Sequence, residues 1–416
     1  MINKTKKIIY NLLRKSQKFT GTDNVYIAKH GSYLTIGNVI GVVASLLLSV
    51  AFARLLSQEI YGEYRYLLSI ISVIGIIVLP GLDDAFLQTV AKGFEGSFKK
   101  IIKTKFKWGV LGSLVSLIIA VYFLIIQNFD LAISFLIAAI FFPLMVSSKI
   151  YLSYLTGKKL FGIQVKYSTI SQIIAAISII ITLFLTKSLI ILVLVYFLSN
   201  TFSKIYFLFR TIKRNPPNKK EGSGIISFGK HLSLVRVAKT ISEQLDKILL
   251  FNALGPVQVA IYSFALLPIR EITILLQNVR LIALPKLSVK SKREIKKTLL
   301  KKIGKGTLLI IPFIAAYIFV APYIYRILFP QYIESIFYSQ LFALTLIAFP
   351  VSMIALFFQA QMMKKELYQF NIISPLIQII LLIILMPLYG ILGVIIARLI
   401  GTLFSVCFAL FLFKRN

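Results

Sequence analysis

Cysteine is nearly missing from this chain. Cys407 is the one cysteine in 416 residues, which excludes an internal disulfide and a cysteine-based metal cluster. Histidine is almost as rare, and His30 and His231 are too few for a histidine-rich metal site. Acidic residues number 14 against 47 Lys and Arg. There is no GxxxxGK[ST] loop, no HExxH pair and no nucleophile–base set. The expectation is a protein that is not an enzyme, holds no metal and needs no cofactor.

Apolar residues are what the chain has in abundance: 58% are hydrophobic, and the mean hydropathy is +0.86. Stretches of about 20 apolar residues recur, the length that crosses a bilayer core as a helix. The fold class expected is an all-α polytopic membrane protein. A net charge of +33 would suggest nucleic acid in a soluble protein, but here its distribution carries the information, and no nucleic-acid partner is expected.

Twelve spans are read, near 33–53, 66–88, 108–126, 131–152, 167–186, 188–209, 228–251, 257–284, 306–328, 337–362, 370–386 and 391–413. Alternate connections and the two termini then hold 37 of the 47 Lys and Arg. The opposite side holds Arg54, Arg65, Lys187 and Arg326. By the positive-inside rule both termini lie in the cytoplasm, which requires an even number of spans. Connections on the other side are short and leave no room for a catalytic ectodomain.

No cleavable signal is expected at the basic N-terminus, because the first long apolar run lacks a small-residue cleavage pattern. Residues 1–32 read as a cytoplasmic segment in which Ile8, Ile9, Leu12 and Leu13 form either an amphipathic surface helix or a frayed tail. Residues 33–209 form an N-lobe of spans 1–6, and 228–416 a C-lobe of spans 7–12. Between them, 210–227 reads as a cytoplasmic linker, with Pro216, Pro217 and Gly222-Ser223-Gly224 giving it flexibility. A second basic stretch, 285–306, sets Ile295, Leu299 and Ile303 at helical spacing and reads as a surface-lying amphipathic helix or as topology-marking lysines.

The two halves resemble each other. After span 1 the chain reads RLLSQEIYGEYRYLL from Arg54, and after span 7 it reads NALGPVQVAIYSFALL from Asn252. An offset of 198 sets Leu56 on Leu254, Gly62 on Ala260, Tyr64 on Tyr262 and Tyr66 on Phe264. Six spans separate the copies, so the lobes share one orientation and are related by an axis near the membrane normal. The expected architecture is two pseudo-symmetric six-helix lobes around a central cavity.

The RLLSQEIYGEY run at Arg54–Tyr64 is similar to the ARxLGxxxYGxY signature of polysaccharide exporters, with Ser57 where that family usually has Gly. LDKILLFNALGP at Leu245–Pro256 looks like the same family's xDxxxLxxxxG stretch. In span number and order the whole chain resembles the O-antigen and polysaccharide flippases of the multidrug/oligosaccharidyl-lipid/polysaccharide exporter superfamily. The resemblance implies alternating access in a bacterial inner membrane, moving a polyprenyl-diphosphate-linked oligosaccharide outward for surface polysaccharide export. It also implies contact with membrane lipids and polysaccharide assembly proteins, and a monomer suffices.

Charge at bilayer depth costs a few kcal/mol per residue even on lenient scales, so it normally faces a cavity or a partner. Span 7 carries Arg236, Lys239, Glu243, Asp246 and Lys247 within an arc of roughly 120°. Lys239–Glu243 and Glu243–Lys247 are i,i+4 pairs, whereas Arg236 has no acid partner on its own helix. One reading makes Arg236 and Lys239 phosphate contacts, with Glu243, Asp246 and Lys247 balancing charge or serving coupling. The other makes the set structural ion pairs. Span 8 adds Arg270 as a further phosphate contact, with Glu271 beside it and Pro268 as a kink, while Arg280 either joins it or snorkels. Arg398 in span 12 either lines the cavity or pairs with a distant acid such as Asp246 or Glu271. Asp83 and Asp84 are placed at the membrane edge near water, with a coupling role open to either. Asn38, Gln172, Gln359, Gln361, Asn371 and Gln378 suit sugar hydroxyls or interhelical hydrogen bonds.

Two other functions stay open at this point. A drug exporter of the same superfamily fits the many aromatic residues but not the excess of bases within the spans. A membrane polysaccharide polymerase or ligase lacks visible catalytic residues.

Overall fold

The computed structural model describes residues 24–289 and 292–415, and every regular element among them is helical. The surface helix expected within 1–32 lies outside the described residues through residue 23, as does the side chain of Arg280.

The first lobe contains α1 (Asn24–Leu55), α2 (Gln58–Ile74), α3 (Gly81–Ala91), α4 (Phe98–Ile125), α5 (Phe129–Ser148), α6 (Tyr151–Gly157), α7 (Phe161–Leu185) and α8 (Leu189–Arg214). The second contains α9 (Ile225–Leu254), α10 (Pro256–Val289), α11 (Lys292–Leu328), α12 (Ser335–Ala343), α13 (Ser352–Ala360) and α14 (Lys364–Arg415). Small residues let neighbours approach closely, as expected where lipid supplies no hydrophobic drive between helices. On α4, Gly109 faces Pro143 and Gly112 faces Phe142 of α5. Ser113 and Ser116 donate across to the carbonyls of Ala139 (2.6 Å) and Phe135 (2.9 Å).

Nine helices among the described residues are long and apolar enough to cross a membrane. One of them, α14, reverses at Gly390 (φ 56°, ψ −131°), a conformation suited to glycine. Gly393 comes back against Leu385, and Gly401 against Gln378, so α14 is an antiparallel pair of crossings. The two remaining crossings of the twelve are not single long apolar helices, for separate reasons. One breaks between Ile74 and Gly81, where Leu79 takes φ 56° before Pro80. The other is α9, whose charges lower its hydropathy.

Two expectations about the basic connections meet a different arrangement. Ile295, Leu299 and Ile303 turn inward on protein. They are buried against Val351, Phe357 and Phe413, and the stretch from Lys292 runs on as the first turns of α11. The linker is short, since α8 and α9 leave only 215–224 between them, and it is tethered. Glu95, between α3 and α4, accepts from the Asn218 backbone N–H (3.1 Å), the Tyr154 hydroxyl (2.9 Å) and the Lys158 ammonium (3.2 Å). Gly96 N–H donates to the Lys220 carbonyl at 2.8 Å.

Burial works against the Glu95 charge, yet these donors outweigh it and hold its carboxyl below the ordinary 4.5. A depressed carboxyl pKa stabilises the folded arrangement above the ordinary value, and this contribution fades as pH falls through the lower, folded one. Limited proteolysis should therefore cut 215–224 faster as pH drops below the ordinary 4.5. Glu95→Gln should show the fast cutting already at neutral pH, and a Gln variant as resistant as the parent would remove this role for Glu95.

Candidate functional site

The lobes meet along one seam. α2 packs on α9 and α10, α3 on α9, and α1 on α10. For orientation, the end carrying the Lys/Arg-rich connections is called the basic end and the other the far end. At the far end, Gly62 lies against the backbone of Pro256. Aromatic rings close around it: Tyr66 stacks on Phe251 (3.8 Å between centroids), Phe264 on Tyr332 (3.7 Å), and Tyr61 packs on Phe264 at 4.8 Å. At the basic end Gly81 N–H donates to Ser233 Oγ at 2.9 Å, and Gly229 packs on Leu82. Both ends of the seam are closed here.

Span-7 charges divide along α9. Arg236 pairs with Asp84 of the first lobe, so its partner lies across the seam. Asp83 is engaged as well, by the Lys105 ammonium at 2.5 Å. Lys239 and Glu243 stand 3.8 Å apart, and both side chains are more than half exposed. Asp246 is fully buried. It accepts from Arg398 Nη2 (2.7 Å), from Lys247 Nζ (3.3 Å) and from the Tyr262 hydroxyl. The Glu243–Lys247 pairing read from spacing does not form. Lys247 instead turns to Asp246, reaching only the backbone carbonyl of Glu243, at 3.3 Å. Of the two acids considered for Arg398, the structure brings Asp246. Glu271 bonds instead with Arg270 (2.7 Å) and accepts from Ser45 of α1 at 3.0 Å, across the seam.

Two cavities with polar and charged groups in their walls flank the seam. One, of about 420 Å³, lies among α1, α7, α8 and α10. Asn38, Ser45, Gln164, Gln172 and Asn200 line it from the first lobe, and Arg270 and Glu271 from the second. The other, of about 350 Å³, is built within the second lobe and includes Lys239, Glu243, Asn371, Gln378, Arg398 and Thr402. The repeat offset connects them. Adding 198 sends Gly41, Ala44 and Ser45 of the first cavity to Lys239, Ser242 and Glu243 of the second. In the last span of each lobe an offset of 202 sends Tyr196 and Asn200 to Arg398 and Thr402. The cavities are thus equivalent sites in two copies of one lobe. Their electrostatics differ: each charged lining residue, in either cavity, belongs to the second lobe.

Arg236 lines neither cavity, and Asp246 and Lys247 sit in the protein core behind the second. Gln359 and Gln361 lie outside both cavities. Sequence spacing could not reveal Ser45, Ser374 or Tyr262 as neighbours of these charges. The repeat offset sets Ser45 on Glu243 and Tyr64 on Tyr262, which are equivalent positions and not contacts.

Two six-crossing lobes that pack on each other at both ends of a seam, with a cavity on either side of it, make up a two-lobed fold of the kind seen in membrane transporters. Comparison with solved structures gives the same fold. A lipid II flippase MurJ in an inward closed conformation aligns at a TM-score of 0.70 and 18% identity, covering 91% of this chain and 86% of that one. An outward-facing multidrug-resistance MATE transporter of the MOP superfamily aligns at 0.59 and 13% identity, covering 94% and 96%. A MOP-superfamily transporter from Pyrococcus furiosus, described as having a binding pocket of reverse polarity, aligns at 0.57 and 14% identity, covering 93% and 96%. No curated protein matches the chain in a sequence search. The profile of the polysaccharide biosynthesis protein family matches residues 27–278, more than half of the chain, and the protein belongs to that family.

Proposed function

We propose that this protein is a flippase that carries a polyprenyl-diphosphate-linked oligosaccharide from the inner to the outer leaflet of a bacterial inner membrane, for surface polysaccharide export. The observation that carries the proposal is the pair of cavities beside the seam, with Arg270 beside Glu271 in the first and Lys239 and Arg398 beside Glu243 in the second, among neutral donors and acceptors. Hydrocarbon offers no compensation for a diphosphate, whereas cations in a low-dielectric cavity offer strong Coulomb attraction. The neutral Asn, Gln, Ser and Thr groups suit sugar hydroxyls, and the lipid tail remains in the bilayer. Family membership supports the polysaccharide destination. Both termini are assigned to the cytoplasm by the basic connections, and rocking of the lobes about the seam would expose the cavities to each leaflet in turn.

Arg270 and Lys239 are the phosphate contacts in this reading, because both line cavities with substantial exposure (43% and 62% of the side chain). Arg236 is moved from ligand contact to the seam, where it pairs with Asp84. In a flippase-deficient cell, Arg270→Ala and Lys239→Ala together should abolish restoration of surface glycan at normal protein levels. Normal surface glycan from that double variant would reject the proposal for these residues. A drug-efflux phenotype with unaltered glycan on deletion of the gene would reject the substrate class.

A further inference from the structure

We infer that the cavity of the second lobe is a binding site for an anionic saccharide unit, one sugar bearing a carboxylate or a phosphate. Several of its polar groups are buried without partners. Gln378 and Ser374 are each only 7% exposed and line this cavity, and neither Gln378 Nε2 nor Ser374 Oγ has a hydrogen-bond partner. Arg398 Nε is likewise buried and unpartnered, although Nη2 is engaged by Asp246 and by the Ser242 carbonyl at 2.8 Å. Burying a donor unmatched costs about 1–3 kcal/mol, more when it is charged. Three such groups belong to residues that line one cavity, and a ligand there that accepts hydrogen bonds would offer them the partner they lack.

Charge gives the sign of that ligand. Lys239, Lys247 and Arg398 face Glu243 and Asp246 in and behind the cavity, a net of one positive charge. The two acids are each held by these same cations, so the uncompensated charge is cationic and an anion offsets it. Size and lining argue for more than a bare ion. About 350 Å³ exceeds the need of a halide, and Ser242, Asn371 and Thr402 add further polar groups suited to hydroxyls. An apolar strip of Val351, Ala355 and Val406 leaves room for a ring face.

The first lobe's cavity differs in that its own lobe supplies no charge to it. The inference rests on the flippase reading only for the origin of the sugar. The site itself stands on the second lobe's geometry.

The test is the thermal stability of the purified full chain in detergent, titrated at constant ionic strength with glucuronate, glucose 1-phosphate, glucose and chloride. Glucuronate and glucose 1-phosphate should each give a saturable rise in melting temperature, as ligands that bind only the folded state do. Glucose and chloride should give none. Gln378→Leu and Ser374→Ala should each weaken the response at least several-fold, the second variant covering the case in which the first does not fold. Ser72→Ala, exposed and outside both cavities, should leave it intact. A flat response to both anionic sugars, or an equal rise with chloride, overturns the inference. Saturable sugar binding by a chain that never restores surface glycan keeps this site and discards the flippase reading; restoration without binding does the reverse.

Discussion

Replacing Asp246 by Ala should leave little folded protein in the membrane. Its carboxylate is fully buried and is the shared acceptor of Arg398, Lys247 and the Tyr262 hydroxyl. Removing it strands two cations in the core with no acceptor of opposite charge. Breaking a buried pair from one side costs about 3–5 kcal/mol, because the surviving charge is left uncompensated. Folded proteins typically hold about 5–15 kcal/mol in total, so a single change here consumes a large part. Asp246→Asn should fare little better, since an amide cannot balance the cations. Combining Asp246→Asn with Arg398→Gln should recover part of the loss, because the pair is removed together and the two changes are coupled. The measurement is membrane accumulation and melting temperature of the four chains. An Asp246→Ala chain with parental yield and melting temperature would contradict the buried-ion account.

Gly81→Val should jam the basic end of the seam open. A Cβ at position 81 would lie 2.5 Å from both the Gly229 carbonyl oxygen and the Ser233 nitrogen. Those are backbone atoms of α9, which cannot swing aside as a side chain would. The helices must separate, and separation also breaks the Gly81–Ser233 bond and strains the Arg236–Asp84 pair. Transport should fall to background while the protein still inserts, because the damage is confined to the closed state. Labelling tests this directly. In a Cys407→Ser, Leu232→Cys background, a membrane-impermeant maleimide applied from the basic side should react several-fold faster once Gly81→Val is added. Gly62→Val should give the mirror result at the far end, where its Cβ would strike Pro256. Unchanged labelling in the Gly81 variant would mean that this seam is not where the lobes close.

Much of the architecture is legible in the chain because membrane insertion is governed by local rules. Hydrophobic length, alternating basic connections and the Leu56/Leu254 repeat together specify twelve crossings in two parallel lobes. Local rules also explain what is not legible. Arg236 has no acid three or four positions away on its own helix, and its partner Asp84 lies 152 positions off, as Arg398 does from Asp246. Such pairings depend on how lobes dock, which no helical spacing encodes. Glu243 and Lys247 have ideal spacing, yet Asp246 wins the lysine because it is buried beside it and already gathers other donors. Ile295, Leu299 and Ile303 have an amphipathic pattern in either setting. Whether that stripe meets lipid or protein depends on the Phe357 and Phe413 surface, more than fifty residues further along the chain.

The uneven distribution of charge between the twin cavities has a mechanical consequence. Arg270 and Glu271 reach the first lobe's cavity from the opposite lobe, with Ser45 as the point of contact. A rotation that parts the lobes would withdraw both charges from that cavity, leaving walls with no charged group. The first lobe would be a vessel whose polarity is set by how near its neighbour stands. What leaves those walls with the neighbour is an intact ion pair, Arg270 with Glu271, so the vessel changes in polarity without gaining or losing net charge.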